Sequence, residues 1–497
     1  MTAQIMALLP LLITTGTVVA VMIGISVRRS HRVTAALTIT GISLALASLA
    51  PAWFGADPGS VAVTGLIEVD SLARFAMTLI LVTTLGVLTL CPAYFDSYSD
   101  NREELYLLLG VATVGALTLA AANHAATLLL GLELLSLPMV GAVAYTVDRT
   151  RSIEGGIKYL VLSAAATATL LFGVALIYAD LGRLDIAALA TALAGAGSGS
   201  PLVTTGALMM LAGVAFKLSF VPFHQWTADV YEAAPLPVTA YLATVVKLGA
   251  FVVALRLLHS GVASTSPLIP TVVVVLALAS MLVGSLLAIN QTNLKRLLAY
   301  SSIANFGFLA ITLVLPGDEA ARAAGVYLIG YVIASLGMFG AMTLLSSPLG
   351  QLDQENLEQY RGLFRRKPFT AAVLITMLLS LAGIPLTAGF IGKLVILTVA
   401  VQAAHWWLVG GVVLASAIGV FYYLRIVNVM LDGRGPEVDG RGPEVDGVEP
   451  DAQGDAVDGN WLRTLSRVML LVLAITTIWF GVFPEALFTM ARQTVLP

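Results

Sequence analysis

Apolar runs of about 20 residues recur from one end of this 497-residue chain to the other. An α-helix of that length crosses a hydrocarbon core of roughly 30 Å. Charged residues are only 11% of the chain, against roughly 25% in soluble domains, so a water-soluble fold cannot solvate so much apolar surface. The fold class read from this pattern is an all-α polytopic membrane protein. About fourteen spans are predicted, at residues 5–26, 33–52, 70–91, 104–121, 122–146, 155–179, 202–220, 236–258, 268–289, 295–314, 322–346, 369–401, 406–430 and 463–485.

The first run carries no basic residue before it and the cluster Arg28-Arg29-Ser30-His31-Arg32 after it. A secretory signal has the reverse order, so this reads as a retained span. With the N-terminus outside, one set of loops holds Arg28, Arg29, Arg32, Arg102, Arg149, Arg151, Lys295, Arg296, Arg361, Arg365, Arg366, Lys367, Arg425, Arg434 and Arg441. The opposite set holds little beyond Arg183 and Arg322. The positive-inside rule then places the first set in the cytoplasm of a bacterium and both termini in the periplasm. The bilayer expected is the inner membrane.

Several function classes are excluded early. Basic residues are scattered among short loops, so no nucleic-acid footprint exists. Cys91 is the single cysteine and no Cys/His spacing fits zinc, haem or an iron–sulfur cluster. No cofactor or metal is expected in this chain; redox groups must belong to partners.

Two runs are interrupted. Pro222 follows Lys217-Leu218-Ser219, and the twelfth run is split by Gly383-Ile384-Pro385 and Ala388-Gly389. Proline removes a backbone donor and clashes with the preceding turn, so helix breaks are expected at Pro222 and Pro385. Freed backbone groups at membrane depth need protein or water around them, and transporters built from inverted repeats carry ion sites at such breaks. Inert helices kink at proline too. The segment 432–460 differs: Asp432-Gly433-Arg434-Gly435-Pro436-Glu437-Val438 recurs identically at 439–445. It reads as a disordered, acidic cytoplasmic loop with a tandem heptapeptide duplication.

An ionisable residue at the bilayer centre costs roughly 2.5–3.5 kcal/mol on insertion scales, so the few present carry the chemistry. They are Glu133, Lys217, Lys247 and Lys393. Lysines near a span end can snorkel, but Lys247 is near the middle of its span. A carboxylate and three lysines suit a proton relay, because burial disfavours a charged ammonium and a nearby carboxylate favours it. At an effective dielectric near 20, such a pair at about 4 Å interacts by roughly 4 kcal/mol, enough to change a lysine's proton affinity by about a thousandfold. Secondary positions are Glu154 and Lys158, spaced as a helix pair or placed for proton uptake, and His224, Asp229 and Glu232 after the first break. His224 either takes up protons near neutral pH or makes a loop hydrogen bond. Tyr300, Ser301, Ser302 and Asn305 are positioned to order water or merely to bond back to their own helix, and the Tyr422-Tyr423 pair reads as packing.

Four stretches resemble a known family: Leu132-Glu133-Leu134-Leu135-Ser136-Leu137-Pro138; Phe216-Lys217-Leu218-Ser219-Phe220-Val221-Pro222-Phe223-His224-Gln225-Trp226; Asn293-Leu294-Lys295-Arg296-Leu297-Leu298-Ala299-Tyr300-Ser301-Ser302; and Leu381-Ala382-Gly383-Ile384-Pro385 with Gly389-Phe390-Ile391-Gly392-Lys393. They are similar to the proton-translocating, antiporter-like membrane subunits of respiratory complex I. Asp229-Val230-Tyr231-Glu232-Ala233-Ala234-Pro235 narrows the resemblance to one branch of that family.

The resemblance implies an N-terminal three-helix segment (1–100) and two inverted five-helix repeats, spans 4–8 within 101–260 and spans 9–13 within 261–431. A C-terminal helix would lie in 461–497. It implies Glu133 as modulating carboxylate, Lys217 as central carrier, Lys247 as connecting lysine and Lys393 as the carrier near the exit. NADH, FMN, iron–sulfur clusters and quinone are implied in partner subunits, with neighbouring antiporter-like subunits as membrane partners. Many relatives place histidine where this chain has Asn305, which orders water but carries no proton as a cation. Alternatives at this stage are a subunit of a multi-subunit cation/proton antiporter, a subunit of a membrane-bound hydrogenase, or a purely structural subunit.

Overall fold

The computed structural model describes residues 2–54, 59–95, 101–197, 199–259, 266–315, 317–346, 353–433 and 460–494. Apart from its first two residues and its last, the acidic loop 432–460 lies outside them. The helices run in order as α1 (Thr2–Val27), α2 (His31–Ala47), α3 (Ala50–Phe54), α4 (Ser71–Phe95), α5 (Glu104–Ala120), α6 (Ala125–Val143) and α7 (Thr150–Leu181). Next come α8 (Ile186–Gly195), α9 (Pro201–Leu218), α10 (Gln225–Ala233), α11 (Leu236–Tyr241), α12 (Lys247–His259), α13 (Leu268–Ile289) and α14 (Leu294–Ala310). The chain finishes with α15 (Asp318–Leu345), α16 (Leu363–Arg366), α17 (Pro368–Ala382), α18 (Ala388–Gln402), α19 (Trp406–Leu431), α20 (Asn460–Val482) and α21 (Glu485–Ala491). A hairpin of two two-residue strands, β1 (Val61–Ala62) and β2 (Glu68–Val69), lies before α4.

Each of the fourteen predicted runs is helical, and the protein is an all-α polytopic membrane protein. Twelve helical segments among the described residues are long and apolar enough to cross a membrane. The shorter α5, and the pair α17 and α18 on either side of the second break, account for the other two runs. The burial pattern separates centre from rim. The segment Leu236–Leu258 is wholly buried, and α14 and α15 nearly so, whereas the most apolar stretches of α1, α7 and α20 are largely exposed at the faces that meet lipid or a partner.

Close helix approach relies on small residues, as expected where lipid is as apolar as leucine. Between α7 and α9, a Cβ on Gly206 would lie 2.6 Å from the Gly173 carbonyl oxygen, and one on Gly173 would lie 2.5 Å from that of Gly206.

Both predicted breaks are present. Helix α9 ends at Ser219, whose φ of 61° is left-handed, and α10 resumes after Pro222. Helix α17 ends at Gly383 (φ 79°), and Thr387 caps α18 after Pro385. A third irregularity was not predicted: residues Leu242–Val246 form a π-helical stretch immediately before Lys247, within a span read as regular. Such stretches are rare and tend to sit at functional positions.

One buried ion pair at the start of α4 was also missed. Asp70 accepts 2.7 and 2.8 Å hydrogen bonds from Arg256, which also donates to the Ala120 carbonyl at 2.9 Å. Asp70 also accepts from the Ala73 amide, so the pair ties the start of α4 to α12 and the end of α5. Both side chains are nearly inaccessible. Asp70→Asn leaves the Arg256 charge buried without its counter-ion and is expected to destabilise by about 3–5 kcal/mol. Arg183→Ala, which breaks an exposed pair with Asp185, is expected to cost no more than about 1 kcal/mol. Thermal unfolding of the detergent-solubilised protein distinguishes the two.

Candidate functional site

Ending α9 in a left-handed turn puts Lys217 on its last turn, facing inward at 4% exposure. Its ammonium donates to Ser136 Oγ of α6 at 2.6 Å and to Ser163 Oγ of α7 at 2.8 Å. A hydroxyl both donates and accepts, so these partners suit the ammonium and the neutral amine equally. Glu133, one turn before Ser136 and half-buried, acts on Lys217 electrostatically. Among the described residues, however, no ion pair joins them. The strength of that interaction is therefore open to change by a modest movement of α6.

The π-helical stretch delivers Lys247 to the centre of the protein, where it is fully buried. Its ammonium donates to Ser302 Oγ at 2.8 Å and lies over the Phe306 and Tyr231 rings at 4.9 and 5.9 Å. Ser302 pairs with the Tyr331 hydroxyl at 2.7 Å, which donates in turn to the Ala243 carbonyl in the π-helical stretch. One turn along α14, the Asn305 amide donates to the Ser301 carbonyl and hydroxyl. Its oxygen accepts from Tyr327 at 2.7 Å, and Ser301 pairs with the Tyr423 hydroxyl. Asn305, Tyr327, Tyr331, Ser380 and Lys393 share the wall of one water-sized cavity.

Lys393 lies at the far side of that cavity, in a different setting. Its ammonium donates to the Leu381 and Ala382 carbonyls at 2.9 and 3.0 Å, and it sits 5.1 Å from the Phe308 ring centre. It caps α17, whose last carbonyls have no helical partners.

The secondary positions separate into distinct groups. Glu154 and Lys158 do form a helix pair, at 2.7 Å, and Lys158 also reaches Asp229 at 3.0 Å. Arg296 bridges Asp229 and Glu232 at 2.8 and 2.7 Å, and Arg151 joins Glu232 to Glu355. Lys295, almost fully buried, donates to the Ala234 carbonyl and pairs with Asp353 and Glu355. His224 stands apart from this network, its Nδ1 buried without a partner among the described residues. Tyr300, expected to order water, packs half-buried at the rim of the core, and no hydrogen bond to its hydroxyl is found among the described residues.

Ser136, Ser163, Tyr327, Tyr331, Arg151, Asp353 and Glu355 went unread as site residues. For three of these the sequence offered a spacing: Ser136 is three residues from Glu133, and Tyr327 and Tyr331 are four apart in an apolar helix. Asp353 and Glu355 offered none.

This geometry can be set beside known proteins. Residues 122–419 match the family model described as NADH:quinone oxidoreductase/Mrp antiporter, transmembrane. NADH-quinone oxidoreductase subunit N of Ectopseudomonas mendocina (strain ymp) is 47% identical over the whole chain and 97% of that protein's length. The chain belongs to the subunit N family. A chain of the Thermus thermophilus respiratory complex I is 31% identical, with a TM-score of 0.79 over 97% of this chain and 98% of that one. Two more distant structures share the fold: a chain of the archaeal membrane-bound sulfane sulfur reductase (23% identical, TM-score 0.82, 99% and 96% covered) and one of the Mrp complex from Dietzia (22%, TM-score 0.83, 99% and 97%). The branch suggested by the Asp229–Pro235 stretch is thus subunit N, a membrane subunit of a multi-subunit complex.

In this subunit N family member, Ser136→Ala with Ser163→Ala removes both partners of a buried ammonium. Leaving a buried charged donor unsatisfied costs more than the roughly 1–3 kcal/mol of a neutral group. The double variant is expected to unfold at lower temperature than either single variant in thermal unfolding.

Proposed function

We propose that this chain is a non-redox, proton-translocating subunit of the membrane arm of an NADH:quinone oxidoreductase. NADH, FMN, iron–sulfur clusters and quinone would all be handled by partner subunits. The observation that carries the reading is the placement of Lys217 and Lys247. Each lies at a helix irregularity, buried, and among the described residues each donates its hydrogen bonds to serine hydroxyls alone.

In this reading Lys217 is the central carrier and Glu133 its modulator. When Glu133 approaches, Lys217 holds its proton; when Glu133 withdraws, the desolvated ammonium releases it. Lys247 receives the proton and passes it through Ser302 and Tyr331 toward the cavity shared by Asn305, Tyr327 and Lys393. Asn305 serves there as a hydrogen-bonding spacer rather than a charged carrier. Lys393 is the second carrier, leaving the α17 carbonyls when it moves.

Uptake belongs to the cluster of Glu154, Lys158, Asp229, Arg296 and Glu232, with His224, just before α10, as a further candidate for taking up protons near neutral pH. The bacterial inner membrane with both termini periplasmic fits the positive-inside rule. It is supported by the convergence of Arg151, Lys295 and Arg296 on one ion-pair network at a single end of the bundle. Two inverted repeats, in 101–260 and 261–431, are supported by the matching breaks at Pro222 and Pro385.

The test is NADH-driven acidification of inverted membrane vesicles carrying Lys217→Ala, normalised to assembled complex. Pumping is expected to fall to near background with assembly intact. Unchanged protons per electron would overturn the reading.

A further inference from the structure

Between Lys217 and Lys247 no direct hydrogen bond or shared partner exists among the described residues, and a proton cannot cross apolar packing unaided. Buried polar groups are almost always hydrogen-bonded to protein or ordered water. Yet three buried hydroxyls on the helices packed beside these lysines make no hydrogen bond of regular geometry among the described residues: Tyr159 of α7, and Thr227 and Tyr231 of α10. Thr227 and Tyr231 are 0% exposed and Tyr159 is 1% exposed.

Their placement is ordered. Tyr159 is one turn before Ser163, one Lys217 acceptor; its hydroxyl faces Ser136, the other acceptor, and Glu133 acts on it over a longer range. The Tyr231 hydroxyl faces Ser302, the Lys247 acceptor, and Tyr331 and Tyr159 act on it over a longer range. Lys247 lies over the Tyr231 ring. Thr227 is one turn before Tyr231, on the same face of α10. The other face of that helix presents Asp229 and Glu232 to the Arg296 network. The short helix between the first break and α11 thus stands between the charged cluster and the buried lysines.

Resting on the proton-carrier reading above, we infer that Tyr231, with Tyr159 and Thr227, is the relay that hands protons between Lys217 and Lys247 through water held by their hydroxyls. A buried water makes about two to four hydrogen bonds to such otherwise unsatisfied polar groups. In each transfer the Tyr231 hydroxyl accepts a proton from the Lys217 side as it releases its own toward Lys247 and Ser302. The phenol ends as it began and only its hydrogen-bond direction has reversed. An ammonium on one lysine becomes an amine, and the amine on the other becomes an ammonium.

Tyr231→Phe removes one oxygen and keeps the ring against Lys247. In inverted vesicles it is expected to slow NADH-driven pumping per assembled complex about fivefold, one hydrogen bond's worth. It is also expected to raise the solvent deuterium isotope effect on pumping. Lys217→Ala is measured beside it. Slow pumping in Lys217→Ala with a wild-type rate and isotope effect in Tyr231→Phe overturns the relay and leaves the carrier reading standing. Normal pumping in Lys217→Ala removes the carrier reading, and the relay with it. A purely structural role would lower the amount of assembled complex without changing the isotope effect, and that result also counts against the relay. If Tyr231→Phe does not assemble, Tyr159→Phe and Thr227→Val are judged by the same two readouts, and wild-type values in both overturn the inference.

Discussion

Backbone groups freed inside a bilayer have no water to bond, so a helix can break there only where the surrounding protein satisfies it. Both breaks in this chain obey that constraint, by different means. At the first, the Phe220 amide bonds back to Ala215, the Trp226 indole donates to the Phe216 carbonyl, and the Val221 amide donates to Ser280 of α13. Lys217 takes no part and is left to bond the two serines. At the second, Lys393 itself satisfies the Leu381 and Ala382 carbonyls, while Ser380 and Thr387 bond the backbone on the far side. The two lysines look alike in the sequence but are held differently. In the proposed relay, a proton leaving Lys217 would disturb two side chains, whereas movement of Lys393 would uncap α17.

The charged groups divide along the same physical line. Those at one end of the bundle are numerous, partly exposed and paired in a network from Glu154 to Glu355. Those at depth are few and separated by hydroxyls, amides and rings. Salt bridges would hold a buried lysine too firmly to exchange a proton; hydroxyls, which serve either protonation state, do not. The buried pair Asp70–Arg256 marks the contrast: bidentate, nearly inaccessible and tied to helix ends, it is a fastening, away from the lysine row.

What the sequence disclosed follows from what it encodes locally. Span lengths, the two proline breaks and the rare charges at Glu133, Lys217, Lys247 and Lys393 are each visible in a window of some 20 residues. Facing is not, because helices that are apolar on all sides carry little periodicity to reveal which neighbour each side meets. Tyr300 was therefore read with Ser301 and Ser302, although it packs at the rim and they turn inward. The π-helical stretch before Lys247 has no proline or glycine within it to announce it. Lys295 meets Asp353 across 58 residues and Lys217 meets Ser136 across 81, separations that no local pattern spans. The acid–lysine pairing expected at the first break became a longer-range interaction, with serines in contact.

In the proposed relay the row of buried lysines conducts protons between the two helix breaks, and Lys247 stands between Lys217 and Lys393 in that relay. The most direct measurement is the ratio of protons pumped to electrons transferred by the purified complex in liposomes, with Lys247→Met compared to wild type at equal assembly. Methionine keeps the volume and removes the ionisable group. That ratio is expected to fall, or pumping and electron transfer to slow together. Wild-type values for both would contradict it and reduce the lysine row to an element of structure.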